Sequence, residues 1–343
     1  MATLKVNTLS GIGTEGPVLD GGLHFRSQNY LTLPKGDTTQ RGRGRGLLGG
    51  SNDASPFSNS IQYITIQSQG NSIEFGDLSL ARSRASSYAS STRGIWAGGF
   101  FHPSANSDTI DFVTIATTGN ATDFGNLTVA RFFASGTSSA TRGLTVGGAD
   151  GSSPGTASLD VIDFTTIASA GNAQDFGDLL GARAAVGALS STTRAVFGGG
   201  YSVQNPSEST DDITFVTIAT TGNSADFGDL TVNKRYLNGV SSNTRGVFYQ
   251  GSTPSPNTTI DFITIATKGD ATDFGDATIS NEHRAGMSNS IRGVNAGSGS
   301  PAIGNTIEFI TIATTGNATD FGDTLTNMGY TAGCSDSHGG LAE

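Results

Sequence analysis

The stretch IDFVTIATTGNATDFGNL, residues 110–127, decides how the chain reads, because it is written six times. The other copies are IQYITIQSQGNSIEFGDL (61–78), IDFTTIASAGNAQDFGDL (162–179), ITFVTIATTGNSADFGDL (213–230), IDFITIATKGDATDFGDA (260–277) and IEFITIATTGNATDFGDT (307–324). The phenylalanine of the DFG-like tripeptide falls at 75, 124, 176, 227, 274 and 321, a period of 47 to 52 residues. A second signature keeps the same beat: TRGIWAGG (92–99), TRGLTVGG (141–148), TRAVFGGG (193–200), TRGVFYQG (244–251) and IRGVNAGS (291–298). A unit repeated in this way cannot bury its apolar face alone, so neighbouring units stack into one body.

Each unit divides into four short runs. The first follows the arginine of VARFFASGTSS (129–139), and RGLTVGG (142–148) is the second. The third, IDFTTIAS (162–169), carries apolar side chains on both faces, as a strand covered on both sides does. AQDFGDL (173–179) is the short fourth. Between third and fourth, TTGN or a variant supplies the glycine-plus-Asn/Asp pair of a tight hairpin. No sustained 3.6-residue apolar pattern competes with this reading. Four strands per unit of this length predict the blade of a β-propeller.

The ends of the chain predict how the ring closes. The C-terminal copy runs on into NMGYTAGCSDSHGGLAE (327–343), which matches a first strand and the start of a second. The N-terminal copy starts at a second strand, about 44–50, and supplies the third and fourth. Five complete blades then lie within about 81–325, and the two termini share the sixth, which removes exposed sheet edges. The expectation is an all-β, six-bladed β-propeller over 37–343, preceded by a short non-repeat leader over 1–36. The leader holds one candidate strand, at 29–33, and reads as a cap or an anchoring arm.

The longest and least alike connections join second and third strands: 51–60, 100–109, 149–161, 201–212, 252–259 and 297–306. In a propeller these emerge on one face. They hold aromatic and imidazole side chains that the repeat does not require, among them Phe57, Phe100, Phe101, His102 and Tyr201. Diverse loops on a rigid scaffold are where binding sits, so these five are the candidate binding residues.

Composition narrows the function classes. Glycine is 49 of 343 residues, about twice ordinary usage, which suits many tight turns. The formal net charge of −10 argues against nucleic acid as the main partner. The single cysteine, Cys334, excludes internal disulfides and any multi-cysteine metal site. No apolar run of about 18 residues predicts a membrane-inserted helix. The one dense basic cluster, Arg41, Arg43 and Arg45, reads as an entry loop whose arginines pair with repeat carboxylates, in preference to an RNA contact.

The pattern R…AS…TRGxxxGG…IDFxTI…DFGDL resembles the kelch repeat. It departs in the fourth strand, where phenylalanine (Phe124, Phe176, Phe227, Phe274, Phe321) replaces tryptophan. The wording IDFVTIATTGNATDFG, with the leader GLHFRSQNYLTLPKGDTTQRGRG, is similar to virion structural proteins of marine tailed phages of the cyanophage type. That resemblance implies a tail fibre or tail-associated protein on the virion. The leader would then dock onto other virion proteins and the propeller would contact a host-surface glycan or a virion neighbour. Particle symmetry would also allow a homo-oligomer.

Motifs for catalysis do not assemble. DFG recurs without a phosphate loop, strand lysine or HRD segment, so no kinase is implied. The A-T-D-F-G-N-L-T segment (121–128) lacks the serine and tryptophan of a sialidase Asp-box and reads as a structural turn, with the aspartate accepting backbone N–H groups. Copper ligation by Tyr330, Cys334 and His338 is disfavoured on a terminal strand. The arginines recurring once per unit (Arg82, Arg131, Arg183, Arg235, Arg284 and Arg93, Arg142, Arg194, Arg245, Arg292) read as structural, pairing with Asp77, Asp178, Asp229, Asp276 and Asp323 and with carbonyls between blades. Calcium at the Asp-rich turns lacks a convergent loop. The expectation is a non-enzymatic protein without cofactor or metal. The competing readings are a decorative particle component and a glycan-active enzyme using loop carboxylates Asp150, Asp211 and Asp212.

Overall fold

The computed structural model describes residues 44–52, 57–101, 105–151, 157–202 and 205–341, without the side chains of 205–208. The leader, its candidate strand, Arg41, Arg43 and His102 lie outside the described residues.

Six antiparallel blades form the fold, each with its first strand innermost. The closure blade takes its inner strand, Ala332–Ser335, from the C-terminal end of the chain. Its other three are Arg45–Ser51, Ser58–Thr65 and Ile73–Asp77. Cross-terminal pairing runs from Gly46↔Ser335 to Gly49↔Ala332. The second blade is Ser86–Ala89, Arg93–Ala97, Thr109–Thr114 and Thr122–Asn126. The third is Ser135–Ser138, Arg142–Val146, Val161–Thr166 and Gln174–Asp178. Gly187–Ser190, Arg194–Gly198, Asn205–Thr217 and Ala225–Lys234 make the fourth, whose outer hairpin is the longest. The fifth is Asn238–Ser241, Arg245–Tyr249, Thr259–Thr264 and Thr272–Asp276, and the sixth is Ala285–Ser288, Arg292–Ser298, Gly304–Thr311 and Thr319–Asp323. Inner strands touch in sequence around the ring, and the sixth meets the closure strand.

The core lies between blades. Tyr88, Ile95, Ile110 and Phe124 of the second blade pack with Ile167 and Ala173 of the third. Leu48, Ile64 and Ile66 of the closure blade pack with Met287, Val294 and Phe321 of the sixth. The repeat signatures are the fittings of these interfaces. A Cβ on Gly143 would stand 2.0 Å from the Tyr88 ring, and one on Gly246 would stand 2.5 Å from Leu189. The TRG glycine therefore admits a knob from the neighbouring inner strand. In the third blade the knob position holds the smaller Thr137, and the next blade carries Ala195 in place of glycine.

Each TRG arginine completes a ladder. The Arg142 guanidinium lies 4.5 Å from the Phe164 centroid, and Phe164 meets Phe176 edge-on at 6.1 Å. Arg142 Nη1 donates to the Ile218 carbonyl of the next blade at 2.8 Å. The same triad recurs in all six blades, from Arg45 with Tyr63, Phe75 and the Ile115 carbonyl to Arg292 with Phe309, Phe321 and the Ile66 carbonyl. Arg45 thus uses a ring and a carbonyl where the sequence reading gave it a carboxylate.

The other arginine series also differs from expectation. Arg82 and Arg131 pair with Asp111 and Asp163 of the third strand, each at 3.1 Å and fully buried, not with the FGD aspartates. Lys234, not Arg235, holds that position for the fifth blade and pairs with Asp261 at 2.7 Å. In the sixth blade Arg284 starts from a position three residues later and meets the longer Glu308. The third-strand acid is the partner because it lies inside the blade that the crossover enters, whereas the FGD acid lies on the outer strand.

TTGN is not a simple hairpin turn. Gly171 N–H donates to the Phe124 carbonyl at 2.7 Å, Ala173 N–H to the Asn126 carbonyl at 2.8 Å, and Asn126 N–H to Asn172 Oδ1 at 3.1 Å. This three-bond latch joins a blade to the outer strand of its predecessor. It recurs around the ring and closes it through Gly70, Ser72 and Asn71 on Phe321 and Asp323. The DFG glycine sits on that outer strand, opposite a register shift, and not in a turn.

Candidate functional site

Two residues ahead of each inner strand lies a residue whose backbone its side chain disfavours. Arg84, Phe133, Ala185, Tyr236, His283 and Tyr330 all have φ between +53° and +59°. A non-glycine residue there costs on the order of 1–3 kcal/mol, and glycine or asparagine would occupy it more easily. The cause is a belt of backbone bonds. Arg84 N–H donates to the Tyr330 carbonyl at 2.8 Å, Phe133 to Arg84 at 3.0 Å, Ala185 to Phe133 at 2.8 Å, Tyr236 to Ala185 at 3.0 Å and His283 to Tyr236 at 3.3 Å. The left-handed backbone aims each N–H around the ring at the blade before it. The belt needs the conformation, but not the side chains, since Ala185 forms it equally well.

Those side chains converge on the channel mouth. Tyr236 and His283 rings lie 3.8 Å apart, His283 and Tyr330 4.2 Å, and Phe133 stacks on His283 at 5.2 Å. The Arg84 guanidinium stands 4.6 Å from the Tyr330 centroid and 5.2 Å from that of Phe133. The mouth encloses about 120 Å³, bounded by all six blades. That is close to the ~150 Å³ that holds one benzene ring. Burial sets the protonation states. It lowers the Arg84 pKa from the usual guanidinium range, lowers that of His283 against the pull of Glu282, and raises that of Tyr236. His283 and Tyr236 are held neutral as hydrogen-bonding groups.

The loop residues singled out in the sequence extend this patch. Tyr201 meets Tyr236 edge-on at 5.2 Å, with Arg235 over its ring at 4.4 Å. Phe57 lies 6.2 Å from Phe100, which packs on Phe132 at 5.4 Å, and Phe132 meets Phe133 at 5.1 Å. Phe101 is half-buried and pairs with Ala105 in a two-residue loop ladder. The sequence reading does not gather the mouth residues into one site, because the column they form has no shared residue type.

The far end of the channel is closed by the C-terminal segment. His338 Nε2 lies 2.9 Å from the Ala89 carbonyl and 3.1 Å from Ser138 Oγ, and Gly339 N–H donates to the Ser241 carbonyl at 3.0 Å. Tyr330 therefore belongs to the mouth, and His338 and Cys334 line the opposite end. Among the described residues, one carboxylate trio has oxygens within 4.8 Å of one another: Asp211, Asp212 and Asp229. Asp150 stands elsewhere, its carbonyl accepting from Asn106 at 2.7 Å.

Fold and site together define a closed six-bladed β-propeller with one channel end sealed and the other lined by aromatic rings and a guanidinium. Comparison with family models and with curated proteins finds no match to the chain.

Proposed function

We propose that this propeller is a non-enzymatic recognition module of a virion, carried on a tail or tail fibre, that binds a host-surface glycan at its channel mouth. One observation carries the reading. Five of the six strained mouth positions hold a ring or a guanidinium where the backbone belt asks for nothing beyond a small residue. Strain kept at a mouth lined by aromatic side chains is typical of a binding site, and aromatic faces pack on the apolar faces of sugar rings. The virion setting comes from the likeness of the repeat wording to marine phage structural proteins.

The test uses whole marine cyanobacterial cells and the full chain. Saturable binding that periodate treatment of the cells abolishes, and that Tyr236→Ala weakens at least tenfold, is the expected result. Binding that survives periodate, or no binding to any strain tried, overturns the glycan reading.

A further inference from the structure

The mouth is cationic in a chain whose formal net charge is −10. Arg82, Arg131, Lys234 and Arg284 all have carboxylate partners inside their blades. Arg84, one strained residue of the belt, has none among the described residues. It lies half-buried between the Phe133, Phe100 and Tyr330 rings, and its Nε is buried without a hydrogen-bond partner. The Glu282 carboxylate lies 3.4 Å from His283 Nε2. Arg235 stacks at the rim on Tyr201 and Tyr236. Asn238, which lines the cavity, keeps a buried Oδ1 without a donor. A half-buried guanidinium without a carboxylate partner favours an anion that can reach it, and such an anion gains a short charge-assisted bond.

We infer that the channel mouth takes the acidic terminal pyranose of a surface glycan, with its carboxylate or sulfate on Arg84 and its ring against Phe133 and Tyr330. This rests on the mouth being the recognition site. The volume of about 120 Å³ takes the acid group and one edge of a terminal ring, with the rest of the sugar lying across the mouth. Ala185, the one small member of the belt, lines this cavity. A tyrosine already occupies the equivalent backbone position at 236 and 330, so Ala185→Tyr keeps a backbone the belt accepts and should narrow the cavity.

The experiment is calorimetric titration of the full chain with methyl β-D-glucuronide, a methyl 6-O-sulfo-β-D-galactoside, neutral methyl β-D-glucoside and inorganic sulfate. At least one acidic glycoside is expected to bind ten times tighter than both the neutral glycoside and inorganic sulfate. Which acidic probe wins tells carboxylate from sulfate. Arg84→Gln is expected to remove that preference, and Ala185→Tyr to remove binding, with melting temperatures near wild type. If Arg84→Gln does not fold, Ala185→Tyr and the salt dependence of wild-type binding decide the question. Equal affinity for acidic and neutral probes, binding that both variants retain, or no binding of any probe by a chain that still binds cells overturns this assignment and leaves the recognition reading standing. Failure to bind cells sinks the recognition reading itself.

Discussion

Gly125 and its counterparts at 76, 177, 228, 275 and 322 have φ between +140° and +155°, and a Cβ at Gly125 would fall 2.5 Å from the Gly171 carbonyl oxygen. Gly119 has a similar φ of +155°, but nothing lies within 4 Å of its Cβ position. Gly125→Ala should therefore cost about 2–4 kcal/mol, through backbone strain and loss of the blade latch, whereas Gly119→Ala pays the strain alone. Denaturant unfolding of the two variants checks this, and equal losses would show that the close approach contributes nothing. Cys334 is buried, and burial pushes its thiol up to about 12. It should stay unreactive toward a thiol reagent at pH 8 in the native protein and react once the chain is unfolded. His283 and His338 are both held below the ordinary histidine range, chiefly by burial. The unfolded chain then binds more protons, so stability is full above about pH 6.5 and falls as pH drops through that value toward the lower folded pKa. The slope is at most about 1.4 kcal/mol per pH unit for each histidine. Calorimetric melts between pH 7.5 and 5 should show the loss, and a His283→Gln, His338→Gln double variant should flatten it.

Among the elements, the closing strand has the most to hold. Ala332–Ser335 pairs with Arg45–Ser51 and covers Leu47 beside Cys334 and Trp96. Removing 327–343 should leave that edge unpaired, so the truncated chain should self-associate or lose its cooperative melt, as light scattering and calorimetry would show. An unaltered monomeric melt would mean that the ring does not depend on both termini. Within a blade, Arg142→Met removes one stacked guanidinium and its bond to Ile218, a loss of about 1–2 kcal/mol. The strand order and the shared blade were legible because IDFVTI and DFG recur at a fixed spacing and the two ends are complementary fragments of one unit. The bonding was less legible. Asp111 and Asp77 are both repeated acids, and nothing in spacing says which lies inside a blade. Gly119-Asn120 looks like a hairpin pair because the preceding blade, onto which it bonds, is 43 residues away in the chain. Arg84, Phe133, Ala185, Tyr236, His283 and Tyr330 share no residue type, so only the backbone belt reveals them as one site.

At the scale of the whole molecule, the ring makes a rigid frame with two unlike ends. One is sealed by His338 and its neighbours, and the other gathers one side chain from every blade. On the proposed reading, that asymmetry directs recognition to a single face, where Tyr201, Phe57 and Phe100 widen the aromatic surface. Hydrogen–deuterium exchange of the full chain, with and without polysaccharide extracted from cells that bind it, tests this most directly. New protection is expected at 83–85, 132–134, 235–238, 282–284 and 329–331, with the TTGN latches unchanged. Protection confined to the latches, the outer strands or the His338 end would place recognition elsewhere and contradict it.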